Sequence, residues 1–379
     1  MFNIFKFLAS SQQQSLKPKS KTTGFTLIEL LVAVIISGIV ISSLLAFLVN
    51  IMTSERKERA KSNSEQEVQA ALEYMVQDLQ EAVYVYDAYG LNGDPNVTTQ
   101  TPIRNQIPPV KPVTGCNSAA TCEPVLVFWK RTFFNRTDEV NEVGTGRVRV
   151  GSVTGDNDAY VYSLVAYYLV KNPADSIWSN ASRIARFEIR DGIPTNGNTG
   201  FAINPDSGFV PFDLASADTI PAAMNKWKSG TAPTRYTSVA TQSYDRNNLQ
   251  TLVDYIDDTR YDSTAIAPLH SISTDPTQGI LDCRAPNRGA LGGDLTVATQ
   301  PGAQRIPANF ETATSAKTSS FYACVNSTTS SVLLYLRGNA LARLIQDPSR
   351  RVANQNNLIY LPSSEVRIFG RGFFGNTDQ

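Results

Sequence analysis

The chain has 379 residues, with 34 basic and 34 acidic side chains and no formal net charge at pH 7. This balance argues against sequence-independent binding to nucleic acid, which depends on an excess of Lys and Arg that neutralises phosphates. The length is sufficient for one large α+β unit, or two lobes, with a sizeable core.

An apolar run near the N-terminus predicts a membrane-spanning helix. It covers roughly 28 residues, 25–52, where about 20 apolar residues suffice to cross a bilayer, and its only ionisable side chain is Glu29. Residues 1–24 contain four lysines and no acidic residue. Positive charge before a membrane helix keeps that end in the cytoplasm. We therefore expect a single-pass inner-membrane protein in which the residues after this helix lie in the periplasm.

The start of the apolar run carries a specific motif, Gly24-Phe-Thr-Leu-Ile-Glu29, followed by Leu-Leu-Val-Ala. It resembles the processing site of type IV prepilins and of the pseudopilins of type II secretion. The resemblance implies that a prepilin peptidase cuts after Gly24 and methylates the new N-terminus at Phe25, so that residues 1–24 are a cleaved cytoplasmic leader. It also implies that Glu29 pairs with the N-terminal amine of a neighbouring subunit. The alternative is that Glu29 lies at the lipid headgroups and is solvated.

The partners that this resemblance implies are the peptidase and methyltransferase, other major and minor pilins or pseudopilins, and an inner-membrane assembly platform. The membrane helix at residues 25–52 would form the core of the assembled filament.

A second helical stretch follows the apolar run. Its apolar side chains recur at spacings of three and four, which places them on one helical face: Val68, Leu72, Met75, Leu79, Ala82 and Tyr86. We expect one uninterrupted helix from Phe25 to about Tyr86, with residues 53–90 packed on the protein's own core. Turn residues at Gly90 and at 92–95 predict where it ends.

The segment Asp78-Leu-Gln-Glu-Ala82 adds a second resemblance. It is similar to the D-L-x-x-A signature that minor pilins and J-type minor pseudopilins carry in this helix. Those proteins sit at the tip of a pseudopilus and prime its assembly, so the resemblance implies a position at or near a filament tip.

Residues 91–379 are predicted to form a β-rich head. Alternating and β-branched segments indicate short antiparallel strands at 125–134, 147–151, 160–170, 183–190, 331–337 and 365–369. Residues 338–346 predict a short helix or turn. Long polar stretches at 191–250 and 292–320 predict surface insertions, because loops this long are unusual inside a compact domain. We expect these stretches to include strands that the sequence pattern does not identify. The expected fold is α+β and pilin-like: a long N-terminal helix, half membranous and half amphipathic, packed on a large antiparallel sheet with long loops.

Four cysteines follow the membrane helix, on the side where disulfides form: Cys116, Cys122, Cys283 and Cys324. Four cysteines allow three pairings. Cys116 and Cys122 flank a polar loop and are expected to bridge locally, which leaves Cys283 and Cys324 to clip the loop between them onto the sheet. A metal site is the rival interpretation, but no C-x-x-C pair occurs.

Other candidate sites are weaker. His270 is the single histidine, and no G-x-S-x-G sequence surrounds any serine, so we predict no catalytic residues and no cofactor. The turn at 155–158, Gly-Asp-Asn-Asp, could bind Ca²⁺, but it lacks the rest of an EF-hand loop and is predicted to be a solvated turn with no metal. The aromatic and basic run at 128–136 could stack on bases, but a strand with one buried face is favoured.

The resemblance as a whole implies a minor pilin or pseudopilin, a non-enzymatic structural subunit that supports secretion or motility. The large head argues against a major subunit. The N-terminal half resembles most closely the pseudopilins assigned to hormogonium polysaccharide secretion in filamentous cyanobacteria. Two alternatives stay open: a tip adhesin or DNA-uptake pilin, and a membrane-tethered periplasmic enzyme.

Overall fold

A computed structural model describes residues 24–93, 101–142, 146–171, 177–197, 200–214, 220–227, 232–259, 304–307, 318, 320–326, 331–352, 354 and 356–369. The chain divides into two compact units, Met1–Arg56 and Lys57–Gln379. Every strand among the described residues lies in the second unit.

The helices are α1 (Leu27–Gln80), α2 (Ala88–Asn92), α3 (Val150–Thr154), α4 (Ile220–Met224) and α5 (Thr237–Ala240). The strands are β1 (Ala82–Val85), β2 (Cys122–Phe134), β3 (Glu139–Glu142), β4 (Gly146–Arg149), β5 (Ala159–Val170), β6 (Ser182–Arg190), β7 (Ile193–Pro194), β8 (Phe201–Ile203), β9 (Leu249–Ile256), β10 (Gln304–Ile306), β11 (Phe321–Asn326), β12 (Ser331–Arg337) and β13 (Ser363–Phe369).

Within the first unit, the apolar part of α1 exposes its side chains. Leu, Ile, Val and Phe residues from Phe25 to Met52 are at least two-fifths exposed. Among the described residues, α1 is the one helix that is long and apolar enough to cross a membrane. A helix that is apolar all round and unburied needs lipid or other helices around it.

The second unit is built on antiparallel sheets. The larger sheet has the strand order β1-β2-β5-β6-β9, and a four-stranded sheet has the order β10-β11-β12-β13. All of these neighbours pair antiparallel. Two small hairpins lie in the connections between strands of the larger sheet: β3-β4 between β2 and β5, and β7-β8 between β6 and β9. The predicted α+β fold, a long N-terminal helix followed by a large antiparallel head, is confirmed.

The second part of α1 packs on the head through the predicted stripe. Val68, Leu72, Met75 and Leu79 are each at most 3 % exposed and belong to the main core cluster. At Gly338, directly after β12, a Cβ atom would lie 2.9 Å from Cγ2 of Val68. The absence of a side chain there allows α1 to approach the second sheet closely.

The prediction that the helix continues to Tyr86 is wrong. Helix α1 ends at Gln80, and Ala82–Val85 forms the edge strand β1, which pairs with β2. All four residues of β1 are buried. A strand that is buried on both faces is apolar at every position, so its residues also fit the helical pattern of apolar side chains at spacings of three and four. The Val and Tyr side chains of β1 favour a strand over a helix. The predicted stop signals instead end α2, where Gly93 has φ 92°.

Five of the six predicted strands lie within β2, β5, β6, β12 and β13. The sixth, at 147–151, is shorter than predicted: β4 ends at Arg149 and Val150 begins α3. The stretches predicted as long loops contain β7, β8, α4, α5, the start of β9, and β10. The sequence analysis did not identify β3 or β11, and the predicted turn near residue 340 is a 3₁₀ turn at Ala340–Arg343.

Candidate functional site

The N-terminal motif begins with three residues outside the helix. Gly24, Phe25 and Thr26 precede α1, so the peptide bond after Gly24 lies in non-helical backbone. Phe25 is 85 % exposed, and no atom lies within 4 Å of where a Cβ would stand on Gly24. The bond at which cleavage is predicted is therefore accessible in this conformation of the chain.

Thr26 and Glu29 cap the first turn of α1 reciprocally. The backbone N–H of Glu29 donates to Oγ1 of Thr26 at 3.3 Å, and the backbone N–H of Thr26 donates to Oε2 of Glu29 at 3.3 Å. The Thr26 hydroxyl also donates to Oε2 at 3.2 Å. This pattern is a capping box, in which a Thr at the N-cap and a Glu three residues later satisfy two otherwise unpaired N–H groups.

The cap gives Glu29 a role within its own chain. A carboxylate in the first turn interacts favourably with the positive end of the helix dipole. Its net charge remains, however, because the contacts from Thr26 are hydrogen bonds from neutral groups. Residues 25–52 contain no cationic side chain that could neutralise it.

The D-L-x-x-A segment lies where α1 meets the larger sheet. Asp78 is 7 % exposed and accepts four hydrogen bonds from three strands. Arg186 of β6 donates from Nε at 2.6 Å and from Nη2 at 3.3 Å. Lys130 of β2 donates from Nζ at 3.0 Å, and the hydroxyl of Tyr167 on β5 donates at 2.6 Å.

The electrostatics of this cluster keep Asp78 ionised. Burial alone would raise the pKa of Asp78, but Arg186, Tyr167 and Lys130 hold it below its usual value. Burial would lower the pKa of Lys130, but Asp78 and nearby carboxylates raise it. Arg186 is shared with Glu188, whose Oε2 lies 2.6 Å from Nη1. The cluster is therefore a paired ionic network in which Asp78 joins α1 to three adjacent strands.

The other residues of this segment are apolar contacts. Leu79 is 1 % exposed and Ala82 is 0 % exposed. In this chain, the D-L-x-x-A pattern thus combines a charged link to the sheet with two apolar residues, one at the end of α1 and one at the start of β1. The sequence analysis recognised the pattern but not the partners of Asp78, which lie 52 to 108 residues further along the chain.

A second polar link joins α1 to the C-terminal part of the head. Arg343 donates from Nε to the Ser64 hydroxyl at 3.0 Å and pairs with the Glu67 carboxylate. Its guanidinium also lies over the Tyr255 ring, 4.2 Å from the centroid.

The structure contains a disulfide between Cys116 and Cys122, and both residues are fully buried. Cys324, in β11, is also disulfide-bonded. Cys283 lies outside the described residues, as does His270.

Two weaker candidates are visible in the structure. In the turn at 155–158, the Asp158 carboxylate accepts from the backbone N–H of Arg136, and Asp156 faces the Arg136 and Arg149 guanidinium groups. Among the residues that the structure describes, no group of three or more His, Cys, Asp or Glu is placed to hold a metal. In the 128–136 run, Phe128 and Trp129 are buried, whereas Phe133 is 47 % exposed.

The comparisons with known proteins bear on the N-terminal motif. Residues 19–45 match the prokaryotic N-terminal methylation motif. This match supports a type IV prepilin-like chain that is processed by prepilin peptidase and assembles with other pilins, and together with the apolar helix it indicates a membrane-anchored, single-pass protein. No curated protein and no solved structure matches the chain.

Proposed function

We propose that this protein is a minor pilin or pseudopilin, a structural subunit at or near the tip of a type IV pilus or a type II secretion-like pseudopilus. The observation that carries the proposal is the methylation motif at the start of an exposed apolar helix, with one carboxylate in its first turn. We propose further that the head lies in the periplasm and that the filament supports secretion, specifically the secretion of a polysaccharide.

The local geometry supports a role for Glu29 in assembly. Cleavage after Gly24 creates a cationic α-amine on Phe25, one residue before the N–H group of Thr26 that already donates to Glu29. An α-amine titrates near pH 8 and is mostly charged at neutral pH. A buried carboxylate is stable only with a positive partner, and the amine of a neighbouring subunit supplies one when apolar helices bundle.

The head supports a structural role. The Asp78 network and the apolar stripe hold the second part of α1 on the sheet, so a force applied to the helix is transmitted to the head. The D-L-x-x-A segment and the size of the head favour a minor subunit at the tip over a major subunit that repeats at high copy number.

The test separates the charge of Glu29 from its capping role. A capping box accepts Gln in place of Glu, so Glu29→Gln keeps the cap and removes the charge. We expect this variant to be cleaved after Gly24 and to reach normal levels in the membrane, while its share in sheared filaments falls by at least about tenfold, which corresponds to 1.4 kcal/mol. Glu58→Gln, on an exposed part of the same helix, is the matched control.

Mass spectrometry of the mature N-terminus completes the experiment. We expect wild-type chains to begin at a methylated Phe25. Mature chains that begin at Met1, or after the apolar run, would contradict the proposal. Normal incorporation of Glu29→Gln, with correct cleavage, would show that the charge of Glu29 is not used in assembly.

One surface favours a tip adhesin as a second candidate. At the end of β2, the Arg131 guanidinium lies 4.7 Å from the centroid of the Tyr160 ring on β5, and the Phe133 ring is 5.1 Å from the same ring. Phe133 and Tyr160 are both about half exposed. If the protein is an adhesin, the double variant Phe133→Ala, Tyr160→Ala should enter filaments normally, but the filaments should no longer attach to surfaces. Unchanged attachment would refute this candidate.

A further inference from the structure

A 3₁₀ turn at Leu358–Tyr360 exposes an apolar side chain. Ile359 is 62 % exposed. The turn is held by backbone hydrogen bonds from Tyr360 to Asn357 and from Leu361 to Leu358. The side-chain amide of Asn357 donates to the carbonyl of Val352 at 2.8 Å, and Val352 is itself 42 % exposed. Ile359 and Val352 therefore lie in the same loop, linked through Asn357, and both side chains are exposed.

This loop is tied to the residues that follow the membrane segment. The Lys57 ammonium lies over the Tyr360 ring, 6.0 Å from its centroid. Lys57 is the fifth residue after Met52, where the apolar run ends. Five residues span at most about 18 Å even when fully extended, and a polar headgroup layer is about 5–8 Å thick on each side of the hydrocarbon. Together with the contact between Lys57 and Tyr360, this chain length allows the loop to reach the membrane surface while residues 25–52 are in the bilayer.

The chemistry of the loop suits the headgroup region. Tyrosine is enriched at membrane interfaces, where its ring is apolar and its hydroxyl is wet. Exposed side chains of both signs occur in the chain segments that flank this contact: Lys57 and Arg350 are cationic, whereas Glu58 and Asp347 are anionic. An anionic lipid is therefore not required, and insertion of the apolar side chain would provide the affinity.

We propose that the Leu358–Tyr360 turn is a membrane-interface contact, in which Ile359 inserts among the lipid headgroups while the protein is anchored in the membrane. The partner is the lipid surface, in a zwitterionic bilayer as well as in an anionic one. The inference rests on membrane anchoring and not on filament assembly, so it can fail or succeed independently of the proposed function.

The test uses the full-length chain in phosphatidylcholine nanodiscs. Ile359→Cys is labelled with an environment-sensitive fluorophore and exposed either to a headgroup-bound nitroxide lipid or to aqueous iodide. Ile177→Cys is the matched control, because Ile177 is 81 % exposed and lies beside Tyr74, further along α1. Unmutated chains under non-reducing conditions measure the background labelling of native cysteines.

We expect the lipid quencher to reduce emission from position 359 by more than half and to leave position 177 almost unchanged, with the opposite order for iodide. Equal quenching at both positions would overturn the proposal. Quenching at 359 that needs an anionic lipid would overturn apolar insertion as its cause.

A second variant tests the side chain itself. Ile359→Asp is combined with a label at Val352→Cys in the same nanodiscs. We expect the aspartate to reduce lipid quenching at position 352 several-fold, while thermal unfolding of the head in detergent stays unchanged because Ile359 is exposed. Undiminished quenching would show that Ile359 does not hold the loop at the membrane.

Discussion

Replacing Asp78 with asparagine tests whether the ionic network holds α1 on the head. Asparagine has nearly the same shape as aspartate, so the change creates little empty space. It removes the negative charge that faces Arg186 and Lys130, whose side chains are each only 12 % exposed. It also turns one acceptor oxygen into an amide donor that faces other donors.

The expected loss can be estimated from the contacts. Removing one partner of a buried ion pair typically costs about 3–5 kcal/mol, because the other charge stays buried. Here the cost is reduced, since Glu188 still pairs with Arg186, and Glu81 still lies 3.3 Å from Lys130. We therefore expect the free energy of unfolding of the head to fall by about 2–3 kcal/mol.

The assay is urea unfolding of the full-length protein in detergent, with tryptophan fluorescence as the signal that monitors unfolding. All three tryptophans, Trp129, Trp178 and Trp227, lie in the unit Lys57–Gln379, so the signal reports on the head. Glu81→Gln is the control: its side chain is 48 % exposed, and the loss should be below about 1 kcal/mol. If Asp78→Asn costs no more than Glu81→Gln, the network does not stabilise the head and the reasoning is refuted.

The pH dependence provides an internal check of the same variant. Because the folded-state pKa of Asp78 is below the usual value of 3.8, the carboxylate contributes stability above that value and loses it as the pH falls through the folded pKa. The difference between wild type and Asp78→Asn should therefore be constant near neutral pH and shrink below about pH 4. A difference that grows in acid would contradict the assignment.

Two further changes have opposite expected signs. Burial raises the pKa of Asp191 to about 6, although Tyr236 and the N–H of Gly192 donate to it. The wild-type protein should therefore lose stability as the pH rises from about 4 to about 6. Asp191→Asn should remove that pH dependence and raise the free energy of unfolding by about 1–2 kcal/mol at pH 7 in the same assay. No change in the pH profile would contradict this. The disulfide closes a separation of six residues, so replacing Cys116 and Cys122 together with alanine should cost about 2 kcal/mol, and peptide mapping of wild type that finds either thiol free would refute the bond.

The sequence was sufficient for features that depend on local pattern. The apolar run fixes the membrane helix, and the stripe from Val68 to Leu79 identifies the buried face of α1, because both follow from helical periodicity. Strands β5 and β6 were recognised because long β-branched and aromatic runs are rare outside sheets. The motif at Gly24 and Glu29 was recognised by resemblance, while the capping contact from Thr26 follows from the S/T-x-x-E spacing and was available as a signal.

The rest depends on contacts between distant segments. The sequence of β1 fits a continuation of helix α1, and only its pairing with β2 shows that it is a strand. Strand β9 begins at Leu249, at the end of a polar stretch, and is half-buried at the edge of the sheet, so its pattern is weak. The partners of Asp78 come from three different strands, which no spacing in the sequence brings together.

Two of the carboxylates on α1, Asp78 and Glu29, each need a positive partner when they are removed from water, and they obtain it differently. Asp78 lies near the C-terminal end of the helix, where the dipole is unfavourable to an anion, so it depends on cations, and the head supplies them as Arg186 and Lys130. Glu29 lies at the N-terminal end, where the dipole is favourable and Thr26 completes a cap, yet residues 25–52 offer it no cationic side chain. Asp78 is thus satisfied within its own fold, and an isolated uncleaved chain cannot neutralise Glu29 in the same way. The α-amine that cleavage after Gly24 would create is the nearest new cation in the chain, and for this reason the motif joins a cleavage site to a carboxylate five residues away.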